Sequence, residues 1–235
     1  MRGCCGALAL ITVALSTPAR AQVAVDLHLL LAVDCSGSVD YTRFELQKRG
    51  YVDAFRNPKV VEAVRGGEHQ SIAVAMFQWT GPRLQAEIVP WTVVKDMASA
   101  NAVADIIEQT PRRLFGGGTS ISGAIDYSMQ WFQQSPFKGE RRVIDISGDG
   151  SNSNGRSVTR ARDEAVAQDV NINGLPILAW EPYLDRYYKE NVIGGPGAFM
   201  IVANDFDTFA EAILKKLIIE IAQNVKPDPM RIGKR

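Results

Sequence analysis

Leu27-His28-Leu29-Leu30-Leu31-Ala32-Val33 runs without a formal charge into Asp34-Cys35-Ser36-Gly37-Ser38. A continuous apolar run of this kind reads as a parallel strand covered on both faces. At its end a carboxylate and two hydroxyls follow in quick succession, so the strand aims three hard oxygen donors at one place. Two other segments carry similar donors: Gly116-Gly117-Gly118-Thr119-Ser120 and Ser147-Gly148-Asp149-Gly150. Each stands where a loop should meet the same sheet edge.

The rest of the chain alternates in the manner this strand demands. Tyr41 to Phe55 reads as a helix with Phe44, Tyr51, Val52 and Phe55 on one stripe, halted by Asn57-Pro58. Ser71 to Trp79 reads as the second strand. Ala86 to Val94 is a third, and Pro90 suits it to an edge. Helices are expected over Met97–Ile107, from Thr119 through Phe132, and over Arg156–Gln168. Strands are expected over Arg142–Ser147, Ile172–Ala179 and Phe199–Ala203. A last helix, Asp205 to Asn224, puts Phe206, Phe209, Ile213, Leu217 and Ile221 on one face, with Asp205 as its N-cap. The expected fold is therefore α/β: a doubly wound, mostly parallel central sheet with helices on both faces and one antiparallel edge strand. In such sheets ligands bind beyond the carboxyl ends of the strands, where strand order reverses. Asp34 and Asp149 would be neighbours across that point, with Thr119 on the same rim.

Composition bounds the rest. The chain has 235 residues, 46% of them apolar, and its 26 basic side chains balance 26 acidic ones. That balance gives no reason to expect a nucleic-acid or anionic-membrane partner. Arg2, the short apolar core Ala7–Leu15 and the small-x-small pattern Ala19-Arg20-Ala21 read as a signal peptide over residues 1–21. The apolar core is about half the ~20 residues a spanning helix needs. An exported protein, periplasmic or secreted, follows, with no integral membrane segment once the signal is removed. Residues 22–225 form one domain, and the proline-containing charged tail 226–235 reads as disordered.

Cleavage leaves Cys35 as the only cysteine, so no internal disulfide can form. Inside an oxygen cluster it invites a reading as catalytic thiol, but at the end of a buried strand a cysteine behaves as a small apolar filler. Only His28 and His69 could serve it as a base, and His28 lies in mid-strand. Asp40 reads as the cap of the first helix, Asp126 as a structural or solvated residue, and Asp145 as a partner for Arg141 or Arg142.

The donor set suits a hard divalent cation. Magnesium takes octahedral oxygen coordination and keeps several waters. With only two carboxylates facing it, the ion stays electrophilic and gains from an incoming acidic ligand. Taken one at a time, these segments could equally cap helices and close turns; three at one sheet edge exceed what capping requires.

Asp34-x-Ser36-x-Ser38, then Thr119 after a glycine run, then Asp149-Gly150 after a strand, resembles the metal-ion-dependent adhesion site of von Willebrand factor type A domains. The resemblance covers Asp26 to about Ala222. It implies Asp34, Ser36, Ser38, Thr119 and Asp149 as the metal set, the two aspartates acting partly through water, with Mg2+ (or Mn2+ or Ca2+) as the ion. It implies a protein partner that supplies a carboxylate to the open position, and a binding module rather than an enzyme. Arg112, Arg113 and Phe115, ahead of the glycine run, are candidate partner-binding residues. Trp180-Glu181-Pro182-Tyr183 and Tyr187-Tyr188 supply further aromatics of the interface type.

Two rivals use the same residues. A phosphatase of haloacid dehalogenase type would take Asp34 as nucleophile and Gly148-Asp149-Gly150 as its metal loop. Its acid/base carboxylate belongs two residues past the nucleophile, where Ser36 stands, and no lysine precedes Gly148 closely, Lys138 being the nearest. A scaffold that keeps the fold without using a metal is the other. Oligomeric state is not legible.

Overall fold

A computed structural model describes residues 22–223. The leader read over 1–21 and the tail over 226–235 lie outside the described residues. The five strands are β1 (Val23–Asp34), β2 (Ile72–Trp79), β3 (Gln85–Val94), β4 (Phe137–Gly148) and β5 (Val170–Pro176). They form one sheet in the order β3-β2-β1-β4-β5, parallel throughout except for the antiparallel β2–β3 pair. Pro90 lies in β3, the edge strand, where its missing N–H leaves no inner ladder incomplete.

Side-chain alternation in β1 sorts the core into two layers. Leu27, Leu29, Leu31 and Val33 face one side, packing with residues of α1 (Tyr41–Arg56), α2 (Pro58–Arg65), α3 (Met97–Gln109) and α7 (Phe209–Ala222). Leu30 and Ala32 face the other, against α4 (Ile121–Gln133), α5 (Val158–Val166) and α6 (Leu184–Tyr187) with the π-turn Tyr188–Val192 that continues it. A strand buried on both faces is nearly all apolar, which is why β1 shows no period-two pattern; its buried polar residues Asp26 and His28 find partners in the His69 N–H and the Ser135 hydroxyl.

Several local expectations change. Asn57 both ends α1 and caps α2, accepting from the Lys59 N–H, and Pro58 takes the first helical position, where its missing N–H is no loss. The break at Asn57-Pro58 therefore separates two helices rather than a helix and a loop. The sixth strand expected over Phe199–Ala203 is reduced to isolated bridges, Gly174 with Met200 and Ile177 with Ala203. Pro176, between them, has no N–H with which to continue the ladder. The last helix starts at Phe209 with Thr208 in the cap position, not Asp205; the Asp205 carboxylate accepts instead from the Thr208 N–H and hydroxyl in the preceding turn. Likewise α4 begins at Ile121, capped by Ser120, so Thr119 stays in the loop.

Asp145 finds a partner other than Arg141 or Arg142. It points from β4 towards α7, where Lys216 Nζ lies 2.8 Å from Asp145 Oδ2 and 2.7 Å from Glu220 Oε2, all three side chains wholly buried. Asn173 Nδ2 donates to the other Glu220 oxygen at 2.6 Å. The two arginines lie nearer the start of β4 and donate to the main-chain carbonyls of Glu220 and Gln168. Asp40 caps α1 through the Arg43 N–H, and Asp126 pairs with Arg156.

Candidate functional site

The carboxyl ends of β1 and β4 lie side by side, Val33 opposite Ser147, with β1 crossing to β2 on one side and adjoining β4 on the other. Here strand order reverses and a crevice opens. Asp34 is the last residue of β1. Its Oδ1 accepts from the Ser36 N–H at 2.7 Å, a tight turn that brings Ser36 and Ser38 back over the strand end. Ser36 Oγ and Ser38 Oγ are 3.2 Å apart, and Ser38 donates to Asp149 Oδ1 at 2.6 Å. Four of the five expected metal-set residues are thus joined through short contacts spanning more than a hundred positions of sequence.

Thr119 arrives by another route. Gly116 and Gly117 adopt φ of +70° and +86°, conformations that β-carbon sterics deny most residues, and swing the chain towards the rim. The Ser153 and Asn154 N–H groups donate to the Thr119 carbonyl, tying its loop to the one that follows Asp149. Thr119 Oγ1 lies 3.6 Å from the point where a Gly150 Cβ would stand. Three loops therefore converge, each held by main-chain hydrogen bonds. Asp34, Ser36 and Asp149 are buried; Ser38 and Thr119 remain half-exposed at the mouth.

The charges at the site are incompletely answered. Burial, then the neighbouring Asp149 charge, raise the Asp34 pKa to about 7, against the pull of the Ser36 N–H. Burial lifts Asp149 too, opposed by the Ser38 hydroxyl and by Arg43. Asp34 Oδ2 and Asp149 Oδ2 are buried without a hydrogen-bond partner, and neither residue makes an ion pair among the described residues. Two free carboxylate oxygens beside the Ser36 and Ser38 hydroxyls, with Thr119 on the same rim, fit a divalent cation that keeps part of its water. No group of three or more His, Cys, Asp or Glu side chains suited to a metal occurs among the described residues. The rim differs in kind: hydroxyls make up the majority of its donors.

Cys35 is buried and free, and burial pushes its thiol far up, which suits a filler and not a nucleophile. His28 is remote, its Nε2 2.6 Å from Ser135 Oγ and its ring 4.3 Å from that of Trp91. Arg112 turns its guanidinium inward to the carbonyls of Cys35, Ser36, Val39 and Leu114, supporting the Asp34 loop from below. Arg113 and Phe115 face solvent, Phe115 being 75% exposed. Trp180 and Tyr183 are exposed as well, while Tyr188 is wholly buried.

Residues outside the expected set also shape the rim. Arg43 donates to the Ser38 carbonyl at 2.7 Å and lies over Trp180; Gln47 donates to the Asp34 carbonyl at 3.2 Å. Glu181 accepts from the Ser151 N–H at 3.0 Å and fixes the loop beyond Asp149. Gln47 was open to detection, since it falls on the apolar stripe of Phe44, Tyr51 and Phe55, where an amide must find a buried partner. Glu181 and Tyr188 are brought in by tertiary folding and carry no local signal.

A family model described as "Protein of unknown function (DUF1194)" matches residues 24–225. The chain belongs to this family. No curated protein matches it. Among solved structures, this DUF1194 chain is similar to a von Willebrand factor type A protein from Catenulispora acidiphila, at 17% identity and TM-score 0.58 over 86% of this chain and 43% of that one. It is similar to the pilus adhesin SpaC from Lactobacillus rhamnosus GG, at 13% identity and TM-score 0.61, covering 86% and 31%. A third is proximal thread matrix protein 1 from mussel byssus with a zinc-occupied MIDAS motif, at 13% identity and TM-score 0.60, covering 84% and 46%. The DUF1194 domain has the von Willebrand factor A-like fold. It spans less than half the length of each of these structures. Among its described residues no helix is long and apolar enough to cross a membrane.

Proposed function

We propose that this DUF1194 protein is an exported, metal-dependent protein-binding module. Asp34, Ser36, Ser38, Thr119 and Asp149 would hold the cation, Mg2+ by preference and Mn2+ or Ca2+ as substitutes. The ion would lend the rim positive charge and one coordination position for an acidic group of a protein partner. One observation carries this reading: Asp34 and Asp149 each keep a buried, unpartnered oxygen beside the Ser36 and Ser38 hydroxyls, and neither forms an ion pair among the described residues. The zinc in the MIDAS motif of the byssus protein supports it by analogy of fold.

This chain's own residues do the remaining work. The Ser36 N–H orients Asp34, Ser38 orients Asp149, and Arg112 and Arg43 hold the intervening loop by its carbonyls. Arg113 and Phe115, on the outer side of the glycine loop, would meet the partner. The module is read as non-catalytic, because Ser36 and not a carboxylate stands two positions past Asp34. Affinity capture of the mature domain from cell-envelope extract, with magnesium or with chelator and with Ser36→Ala as blank, tests the reading. Metal-dependent recovery of a partner is expected. Equal recovery in chelator would favour a scaffold that ignores metal, and magnesium-dependent hydrolysis of small phosphomonoesters would favour the phosphatase.

A further inference from the structure

Tyr188 opens the π-turn that follows α6, and single π-turns of this sort recur at functional sites. Its ring lies across the sheet from β5 towards β1 along a track cleared by two glycines. A Cβ on Gly174 would stand 2.6 Å from the ring's Cδ1, and one on Gly148 would stand 3.0 Å from the hydroxyl. That second point is also 2.9 Å from Asp34 Oδ2. The Tyr188 hydroxyl and Asp34 Oδ2 thus face the same small space above Gly148. Both are wholly buried, and neither has a hydrogen-bond partner. A buried tyrosine hydroxyl ordinarily finds one.

Burial, then the Asp34 charge, push the phenol well above its ordinary value, so it is an O–H donor at any physiological pH. The complementary orphan acceptor is the free oxygen of the first metal-set carboxylate. We propose that Tyr188 is a positioning residue for the cation site: its O–H donates to Asp34 Oδ2, directly or through one water above Gly148. With Oδ1 already held by the Ser36 N–H, the carboxylate would then be fixed at both oxygens, leaving their second lone pairs for the ion and its waters. Glycine at 148 and 174 follows as a requirement of the tyrosine's path. This inference rests on the metal reading above, and deepens it.

Calorimetric titration of the mature domain with MnCl2 and MgCl2 tests it, with melting temperatures measured in chelator alongside. Tyr188→Phe deletes only the hydroxyl and is expected to weaken metal affinity about tenfold, the range for lost outer-shell partners, at an unchanged chelated melting temperature. The exposed phenol in Tyr183→Phe is the reference and should bind as wild type does. An affinity for Tyr188→Phe within twofold of wild type overturns the positioning role and leaves the metal reading intact. Absence of binding by wild type overturns the metal reading, and this inference with it. If Tyr188→Phe also lowers the chelated melting temperature, affinities are compared at a temperature where both proteins are fully folded, and about tenfold weaker binding there supports the proposal while binding within twofold of wild type refutes it.

Discussion

Strand β4 buries Asp145 and, one residue past its end, Asp149, and the protein answers the two in opposite ways. Asp145 meets its own cation: Lys216 lies between it and Glu220, at 2.8 and 2.7 Å, in a pocket sealed from solvent. Burial alone would lower the Lys216 pKa, yet the two carboxylates more than offset it and hold the ammonium above its ordinary value. Asp149 and its neighbour Asp34 meet hydroxyls and main-chain N–H groups instead, with Arg43 acting only from a distance. A buried carboxylate supplied with a lysine is structure. One supplied only with hydroxyls and main-chain N–H groups would gain from an ion supplied from outside, because burial has removed most of its water and no ion pair among the described residues replaces the lost charge stabilisation.

Removing Lys216 should break this contrast most severely. Lys216→Met leaves two buried carboxylates without a cation, and urea denaturation should show a loss of about 3–5 kcal/mol. A loss under 1 kcal/mol would mean that the triad is not the anchor of α7 on the sheet. Four residues further along, just past the end of β4, Asp149→Asn should do no such harm in chelator, since it removes a charge that no ion pair answers among the described residues. What it should remove is the response to metal. Wild type at a hundredfold excess over Kd should gain about 2.7 kcal/mol, and the variant little or none, read as thermal shifts with and without chelator.

How much of this contrast can be read from the chain depends on where the information resides. Asp34, Ser36 and Ser38 announce themselves because donor and strand are contiguous, and Asp149 because it closes another apolar strand. The alternation of strands and helices likewise places the rim at one end of the sheet. Lys216 is only half legible in the same reading. Seven residues past Phe209 and three past Ile213, it stands on the apolar stripe of α7, which marks a lysine in need of a buried partner, but only the packing of α7 over β4 shows that Asp145 is that partner. Local propensity gives Arg141 or Arg142 as the cheaper guess. The π-turn and Tyr188 fail for the same reason: the aromatic run 183–188 is amphipathic, and burial divides it residue by residue. Boundary errors at α2 and Phe199–Ala203 have simpler causes, one asparagine capping two helices and one proline interrupting a ladder.

Smaller effects sharpen the comparison away from the rim. His28 is buried and neutral beside Ser135, its pKa lowered to about 4 by burial and then by Arg142. The unfolded chain takes up this proton near pH 6.5 and the folded chain does not, so His28 lowers stability progressively as pH falls from about 6.5 to 4. His28→Gln should flatten that part of the denaturation profile, and an unaltered slope would assign it elsewhere. Arg113→Glu should have the least effect on folding, with a melting temperature close to wild type. Its expected consequence is weaker capture of the metal-dependent partner, and undiminished capture would place the contact surface away from the glycine loop.

Titration calorimetry on chelator-stripped protein, wild type beside Asp34→Asn, bears on the central claim most directly. One cation per chain should bind the wild type, with the signal lost or greatly weakened in the variant. Heats no greater than dilution at millimolar magnesium, manganese and calcium would contradict the account.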